Sequence, residues 1–227
     1  MEKRFKLFHE IIISLGETGV LADIVLIGSW CLYLYRDIFR DADTMPAVRT
    51  VDLDFLVPNP PKIKHKVDIS KMLETLNFVE EFSHLSGNSK FIHPDLEVEF
   101  IIPEKGRGKD GPHIIKEINV RAQGLRYVDL LQDHTIIIPY NNFPVRVPEP
   151  SAFILHKLQL SGRRGKKVKK VKDLETAKGL GEYLATREDQ VEKMKEIYRN
   201  LPSKWKREIL EVAKEQSEII YRILYEK

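Results

Sequence analysis

Two aspartates that lie two residues apart, Asp52 and Asp54, are the residues of this 227-residue chain best suited to chemistry. The apolar residues Val51, Leu53 and Phe55 alternate with them, which predicts a strand with one apolar face. Side chains two apart on a strand share a face, about 6–7 Å from each other. Two such carboxylates repel unless cations or protons compensate, and Mg²⁺ suits their oxygens. A solvent-facing polar strand shows the same alternation, and on this segment alone it is the stronger interpretation.

A second acidic segment changes that balance. Glu97 and Glu99 share the polar face of another predicted strand. The residues that alternate with them are apolar: Leu96, Val98 and Phe100. A carboxylate on a neighbouring strand would complete a site for two metal ions. One of the two glutamates is expected to be an ordinary polar residue of that face, and the alternation does not choose between them.

The third chemical feature is a Gly28-Ser29 pair between a β-branched apolar run, 23–27, and a segment of helical periodicity, 30–39. This order predicts a strand, a turn and a helix. A helix N-terminus offers free backbone N–H groups to a phosphate, and glycine allows a close approach. The Ser29 hydroxyl can donate to a phosphate oxygen, but an ordinary N-cap serine gives the same pattern.

The elements that must position these residues are a mixture of strands and helices. Strands are expected over residues 23–27, 51–57, 78–82, 90–93, 96–102, 135–138 and 145–147. Helices are expected over 3–15, 30–39, 68–77 and 150–160, and three further helical patterns start near Asp173, Arg187 and Pro202. The predicted fold class is α+β, with a mixed β-sheet core over 1–147 and a helical C-terminal region over 148–227.

The composition restricts the partners. Lys and Arg number 37 against 34 Asp and Glu, a net charge of +3, so contacts with phosphate must come from local clusters. The sole cysteine, Cys31, excludes an internal disulfide and a cysteine-based zinc site. No apolar run approaches the ~20 residues of a membrane span, and the N-terminus does not resemble a signal peptide. We therefore expect a soluble, cytoplasmic protein without a membrane partner.

The strongest charge cluster is basic and covers residues 163–172, with seven lysine or arginine side chains in ten residues. Clustered positive charge attracts phosphate groups. The run therefore indicates a contact with RNA or with a triphosphate. A solvated, mobile loop explains the same run equally well.

These features occur in the order found in one superfamily. Gly28-Ser29, Arg-Thr-Val-Asp-Leu-Asp at 49–54 and Val-Glu-Phe-Ile-Ile-Pro at 98–103 resemble motifs of the polymerase-beta-type nucleotidyltransferases. Those motifs are a Gly-Ser turn, an Asp-x-Asp strand and a later acidic strand, and the last match favours Glu99 over Glu97. Four downstream segments are similar to C-terminal motifs of bacterial stand-alone nucleotidyltransferases related to abortive-infection and toxin–antitoxin enzymes: 147–150, 156–158, 163–164 and 172–173.

The resemblance implies a nucleotidyltransferase-type sheet and a Mg²⁺-dependent reaction. An acceptor hydroxyl on RNA, a protein or a small molecule would attack the α-phosphate of a nucleoside triphosphate such as ATP, and pyrophosphate would leave. Asp52, Asp54 and Glu99 would hold two Mg²⁺ ions, and Glu99 would help to deprotonate the acceptor. Gly28 and Ser29 would hold the β- and γ-phosphates.

The resemblance also gives roles to the C-terminal region. Lys157 would neutralise the leaving group, Asp173 would orient Lys157, and Arg163 and Arg164 would contact the nucleotide. Each of the first two has an ordinary alternative: a snorkelling lysine on an amphipathic helix for Lys157, and a helix N-cap for Asp173. The alternative function is a non-catalytic nucleotide- or RNA-binding regulatory module, and the toxin-related group implies an antitoxin partner. The presence of all three carboxylates favours an enzyme.

Overall fold

The computed structural model describes residues 2–39, 45–48, 50–108, 110–163 and 167–225, with Lys167 described by its backbone alone. The chain forms two compact units. The first contains Met1–Ile38 and Val48–Pro148, and the second contains Phe39–Ala47 and Glu149–Lys227. The strands lie in the first unit, and the described elements of the second unit are helices.

The first unit is built on a mixed sheet. Its strands are β1 (Val25–Ile27), β2 (Asp52–Leu56), β3 (Val79–Phe82), β4 (Ser89–His93), β5 (Leu96–Pro103), β6 (His113–Ile115), β7 (Val120–Leu125), β8 (Thr135–Tyr140) and β9 (Phe143–Pro148). The main strand order is β1-β2-β5-β4-β3, in which β2 and β5 are parallel and the other neighbours are antiparallel. The end of β5 also pairs with β7, β7 pairs with β6, and β8 and β9 form a separate hairpin.

Helices complete both units. The first unit holds α1 (Glu2–Glu17), α2 (Cys31–Tyr35), α3 (Ile69–Glu74) and α4 (Asp129–Asp133). The second unit holds α5 (Pro150–Ser161), α6 (Lys167–Leu184), α7 (Glu188–Asn200), α8 (Ser203–Gln216) and α9 (Glu218–Tyr225). This combination of a mixed sheet with helices confirms the α+β prediction. Among the described residues, no helix is both long enough and apolar enough to cross a membrane.

One face of the central sheet is apolar, as the alternation of the sequence predicts. Leu53, Phe55, Val98 and Phe100 are almost fully buried. The rings of Phe55 and Phe100 stack with their centroids 5.7 Å apart. Burying a large apolar side chain contributes about 1.5–3 kcal/mol, so these contacts fix β2 beside β5 and thereby determine which residues face the other way.

The opposite face divides into a buried half and an open half. Toward the ends of β2 and β5, a cluster of apolar residues is buried on it: Val25, Ile27, Leu56, Ile101, Val128 and Leu131. Toward the beginnings of the same strands it carries Asp52, Asp54, Glu97 and Glu99, which are only half-buried. The fold therefore leaves an accessible acidic half beside a closed apolar half.

The helix predicted over 30–39 is much shorter in the structure. A 3₁₀ turn, Gly28–Trp30, follows β1, and α2 after it has five residues. Tertiary packing outweighs the apolar periodicity here, because the Trp30 ring stacks on Phe8 with centroids 4.4 Å apart. The N-cap interpretation of Ser29 is wrong, since Ser29 lies inside the turn and no side chain caps it.

The basic run is more helical than the loop interpretation suggests. Residues 167–172 open α6, so that interpretation is wrong for them. Like charges along a helix are destabilising, but Ala177, Leu180 and Leu184 are buried along the same helix and offset the repulsion. The N-cap interpretation of Asp173 is wrong too, because Asp173 lies within α6. The sequence patterns also do not predict β6, β7, α4 or α9.

Candidate active site

The open half of the sheet face holds four carboxylates on two neighbouring strands. In the parallel pair of β2 and β5, Asp52 lies opposite Glu97, and Asp54 lies opposite Glu99. Residues paired across a sheet project to the same face, so the four side chains share one surface. All four are half-buried, and partial removal from water strengthens the repulsion between like charges. This acidic face therefore requires positive charge.

A lysine supplies part of that charge. Lys90 on β4 pairs with Glu99 across the sheet, and its Nζ lies 2.9 Å from Oε1 of Glu99. The same ammonium forms an ion pair with Glu97. Burial lowers the Lys90 pKa, but the hydrogen bonds and charges of the two glutamates outweigh it and hold the pKa above its ordinary value of 10.5. Lys90 is therefore a permanent cation on the acidic face.

A glycine turn lies against the aspartate pair. Gly28 directly follows Ile27, which pairs with Asp54 across the sheet. Gly28 has a φ of +77°, a left-handed conformation that favours glycine. A Cβ added there would lie 2.8 Å from Oδ2 of Asp54. Ser29 follows in the 3₁₀ turn and is nearly buried. The bare backbone of Gly28 thus keeps the space beside the Asp54 carboxylate clear.

Hydrogen bonds fix the segments that lead into the two acidic strands. The Thr50 hydroxyl donates to Oδ2 of Asp52 at 3.2 Å and accepts from the Asp52 backbone N–H at 3.1 Å. Arg4 of α1 donates from Nη1 to the Thr50 carbonyl and from Nε to the Asp95 carbonyl, each at 3.1 Å. One guanidinium therefore ties the start of β2 to the start of β5.

The chemistry of the donors decides whether a divalent cation fits. Asp52 and Asp54 offer carboxylate oxygens, which Mg²⁺ prefers. Glu99 is bound by Lys90. In the parts of the chain that the structure describes, no group of three or more His, Cys, Asp or Glu side chains is arranged to hold a metal ion. The oxygen chemistry of Asp52 and Asp54 would suit a hard divalent cation, whereas a Glu99 oxygen already contacts the Lys90 ammonium.

In the second unit the structure brings Lys157 and Asp173 together. Nζ of Lys157 lies 2.7 Å from Oδ1 of Asp173, and the two side chains are only 12% and 6% exposed. The ammonium also lies 5.4 Å from the centre of the Phe153 ring. The snorkelling-lysine alternative for Lys157 is therefore wrong, because its charged end is buried and paired rather than solvated.

Of the two arginines with a predicted nucleotide contact, the structure describes Arg163. Arg163 donates from Nη2 to Oε1 of Glu208 on α8 at 2.6 Å, so its guanidinium is engaged within the second unit. Arg164 lies outside the described residues. Their contacts with a nucleotide stay predictions.

The sequence patterns do not single out Lys90 or Arg4. Lys90 has a readable signature, because His93 pairs with Leu96 across a tight turn, and counting back three pairs places Lys90 opposite Glu99. Arg4 has none. Its two acceptors are backbone carbonyls that lie 46 and 91 residues away, and neither distance leaves a pattern in the chain.

Paired carboxylates beside a glycine turn are suited to enzymes that transfer phosphoryl-type groups. A family model described as nucleotidyltransferase matches residues 6–201, and the chain belongs to this family. The prediction that the protein is a nucleotidyltransferase is thereby confirmed.

Two solved structures show similarity at low sequence identity. The antibiotic-resistance factor ANT(2'')-Ia is 14% identical with a TM-score of 0.45, over 87% of this chain and 92% of that one. An antigenic nucleotidyltransferase-like protein from Paracoccidioides brasiliensis is 10% identical with a TM-score of 0.49, over 95% of this chain and 91% of that one. No curated protein matches the chain.

Proposed function

We propose that this protein uses Mg²⁺ to transfer a nucleoside monophosphate from a nucleoside triphosphate to an acceptor hydroxyl. The aspartate pair beside the Gly28 turn, in a chain of a nucleotidyltransferase family, carries the proposal. Asp52 and Asp54 are the proposed Mg²⁺ ligands, and Glu99 is the third carboxylate. Bound Mg²⁺ would polarise the α-phosphate and neutralise the charge that develops on it.

The reaction needs little covalent participation from the protein. The acceptor oxygen attacks the α-phosphorus, the bond to the bridging oxygen breaks, and pyrophosphate leaves with the electron pair. Glu99 receives the hydroxyl proton, directly or through a water molecule. Gly28 and Ser29 hold the β- and γ-phosphates, because a turn without a Cβ lets backbone N–H groups approach an anion closely. The protein therefore contributes mainly positioning and charge.

The second unit supplies positive charge in this proposal. Lys157 neutralises the leaving pyrophosphate, and the 2.7 Å contact with Asp173 supports a role for Asp173 in orienting it. A contact of Arg163 and Arg164 with the triphosphate stays a prediction from the sequence. An acceptor on RNA, on a protein or on a small molecule is compatible with this chemistry. The choice of ATP, a toxin-related role with an antitoxin partner, and a cytoplasmic location stay predictions from the sequence.

The proposal is tested by transfer of label. We expect purified protein with Mg²⁺ and α-labelled nucleoside triphosphates to label a component of cell extract. Asp54→Asn should abolish the labelling, because it removes the charge that holds the cation. Asp110→Asn, at an exposed position of a loop, is the matched control and should label normally. Equal labelling by Asp54→Asn and the unaltered protein would contradict the proposal.

A thermal-shift series identifies the donor and separates the alternative function. Each of the four triphosphates is added with Mg²⁺, and the true donor should raise the melting temperature most, because a ligand that binds the native state stabilises it. Stabilisation by a nucleotide without transfer of label to any component would identify a regulatory binding module instead.

A further inference from the structure

A lysine of the described residues, Lys90, lies on the acidic face. Lys90 contacts Glu97 and Glu99, which lie opposite Asp52 and Asp54 on the neighbouring strand. Among the described residues, four carboxylates and the Lys90 ammonium share this surface, and the ammonium lies on its β5 side. Lys90 therefore balances negative charge on the β5 side of the face.

Lys90 is held between two glutamates on a strand that is paired with β5. Its neighbours in the chain, Ser89 and Phe91, are buried at 1% exposure each. The tight turn that joins β4 to β5 fixes the pairing of Lys90 with Glu99. The Lys90 side chain is 33% exposed. The strand pairing thus places this ion pair within the sheet. Exposed ion pairs on flexible side chains, in contrast, contribute little to protein stability.

This ion pair conflicts with a second divalent ion at Glu99. The Lys90 Nζ stands 2.9 Å from Oε1 of Glu99, which is where a cation bound to that oxygen would have to lie. A divalent ion there would meet a positive charge at close range, and like charges repel strongly where water is partly excluded. Because the ammonium also balances the charge of Glu99, this carboxylate attracts a second metal ion less strongly.

We propose that this nucleotidyltransferase works with one divalent ion, held by Asp52 and Asp54, and that Lys90 supplies at Glu99 the positive charge expected of a second ion. Lys90 is in this sense a positioning residue, because it acts through Glu99. The inference rests on the proposed function, since it concerns the same acidic face.

The number of bound ions tests the inference directly. Mn²⁺ alone is titrated into the full-length protein, and the free ion is followed by electron paramagnetic resonance. We expect one ion per chain in the unaltered protein and one in Lys90→Arg, which keeps the charge. Lys90→Met should bind a second ion, because it frees Glu97 and Glu99. The matched control is Lys116→Met, a change at an exposed lysine of the same unit, and it should bind one.

Transfer activity adds a second readout. Lys90→Met should lose about tenfold or more in transfer rate, a typical effect of removing a residue that orients a metal-site carboxylate, and Lys90→Arg should restore most of it. Any count other than one ion in the unaltered protein, or a second ion missing from folded Lys90→Met, overturns the inference. The proposed function fails separately, if Asp54→Asn still transfers label, so the two failures are distinguishable. If Lys90→Met does not fold, the count in the unaltered protein still decides.

Discussion

At the scale of single residues, the absence of a side chain at Gly28 is as important as the carboxylate of Asp54. The two meet because Ile27 pairs with Asp54, which carries the turn up to the carboxylate. The left-handed φ and the 2.8 Å approach of a hypothetical Cβ to Oδ2 are two separate reasons for glycine. They can be separated experimentally, because other glycines of this chain share only the first.

Gly28→Ala should lose transfer activity by displacing Asp54. Its backbone cost is about 1–2 kcal/mol of stability. Gly106→Ala is the matched control, because Gly106 also has a left-handed φ, +68°, but nothing lies within 4 Å of an added Cβ. We expect both variants to lose stability, Gly28→Ala the more because of the added contact with Asp54, and only Gly28→Ala to lose labelling and Mn²⁺ binding. Equal activity in both variants would contradict a role for the close approach.

The sequence predicts some residues of the acidic face but not others. The aspartate pair is predictable because alternation with a period of two is a local property of a strand. The partner of each aspartate is not, because the parallel register of β2 on β5 depends on contacts distant in sequence. Lys90 is partly predictable. The turn that places it opposite Glu99 is local, but its closeness to the aspartate pair follows only from the position of β5 beside β2.

At the scale of elements, the acidic face depends on how α1 is attached to the sheet. Arg4 reaches from α1 to the carbonyls of Thr50 and Asp95, just before β2 and β5. A planar guanidinium can serve two acceptors at once, which a lysine ammonium does less well. The helix therefore acts as a fixed support for the ends of both acidic strands.

Arg4→Met should lower the free energy of unfolding by about 1.5–3 kcal/mol, the usual contribution of a hydrogen bond from a charged group. Arg4→Lys should recover only part of it. Lys3→Met changes an exposed neighbour in the same helix and should leave stability unchanged in urea titrations. If Arg4→Met and Lys3→Met unfold at the same urea concentration, the hydrogen bonds from Arg4 to the two strands contribute nothing to stability.

Elements differ in how far the sequence predicts them. The longer strands and α5 have strong local patterns, and the structure has them within a few residues of the predicted bounds. The shortened α2 and the extended α6 differ from prediction because packing decides them: Trp30 stacks on Phe8, and the apolar residues of α6 are buried despite the basic run. Short elements such as β6 and α4 have too few residues to show a period.

At the scale of the whole molecule, the residues with proposed roles are divided between the two compact units. The aspartate pair belongs to the first unit and the pair of Lys157 and Asp173 to the second. A residue with a buried ion pair can matter for stability, for catalysis or for both, and single substitutions do not distinguish these roles. A double substitution does.

Asp173→Asn should destabilise the protein by about 3–5 kcal/mol, because it leaves the Lys157 charge buried without a carboxylate. Combining Lys157→Met with Asp173→Leu should recover most of that loss, since apolar replacement of a buried pair is often neutral. Transfer of label should stay low in the double variant, because the cation for the leaving group is gone. Recovery of both stability and transfer would show that the pair is structural only.

The parallel pairing of β2 with β5 has a kinetic consequence. No hairpin can join these strands, so the chain from Leu56 to Leu96 must close as a loop before they meet. Contacts of this kind form slowly, so we expect the carboxylates to come together late in folding. A divalent ion that recognises only the assembled carboxylates should therefore prolong the lifetime of the native state without accelerating its formation.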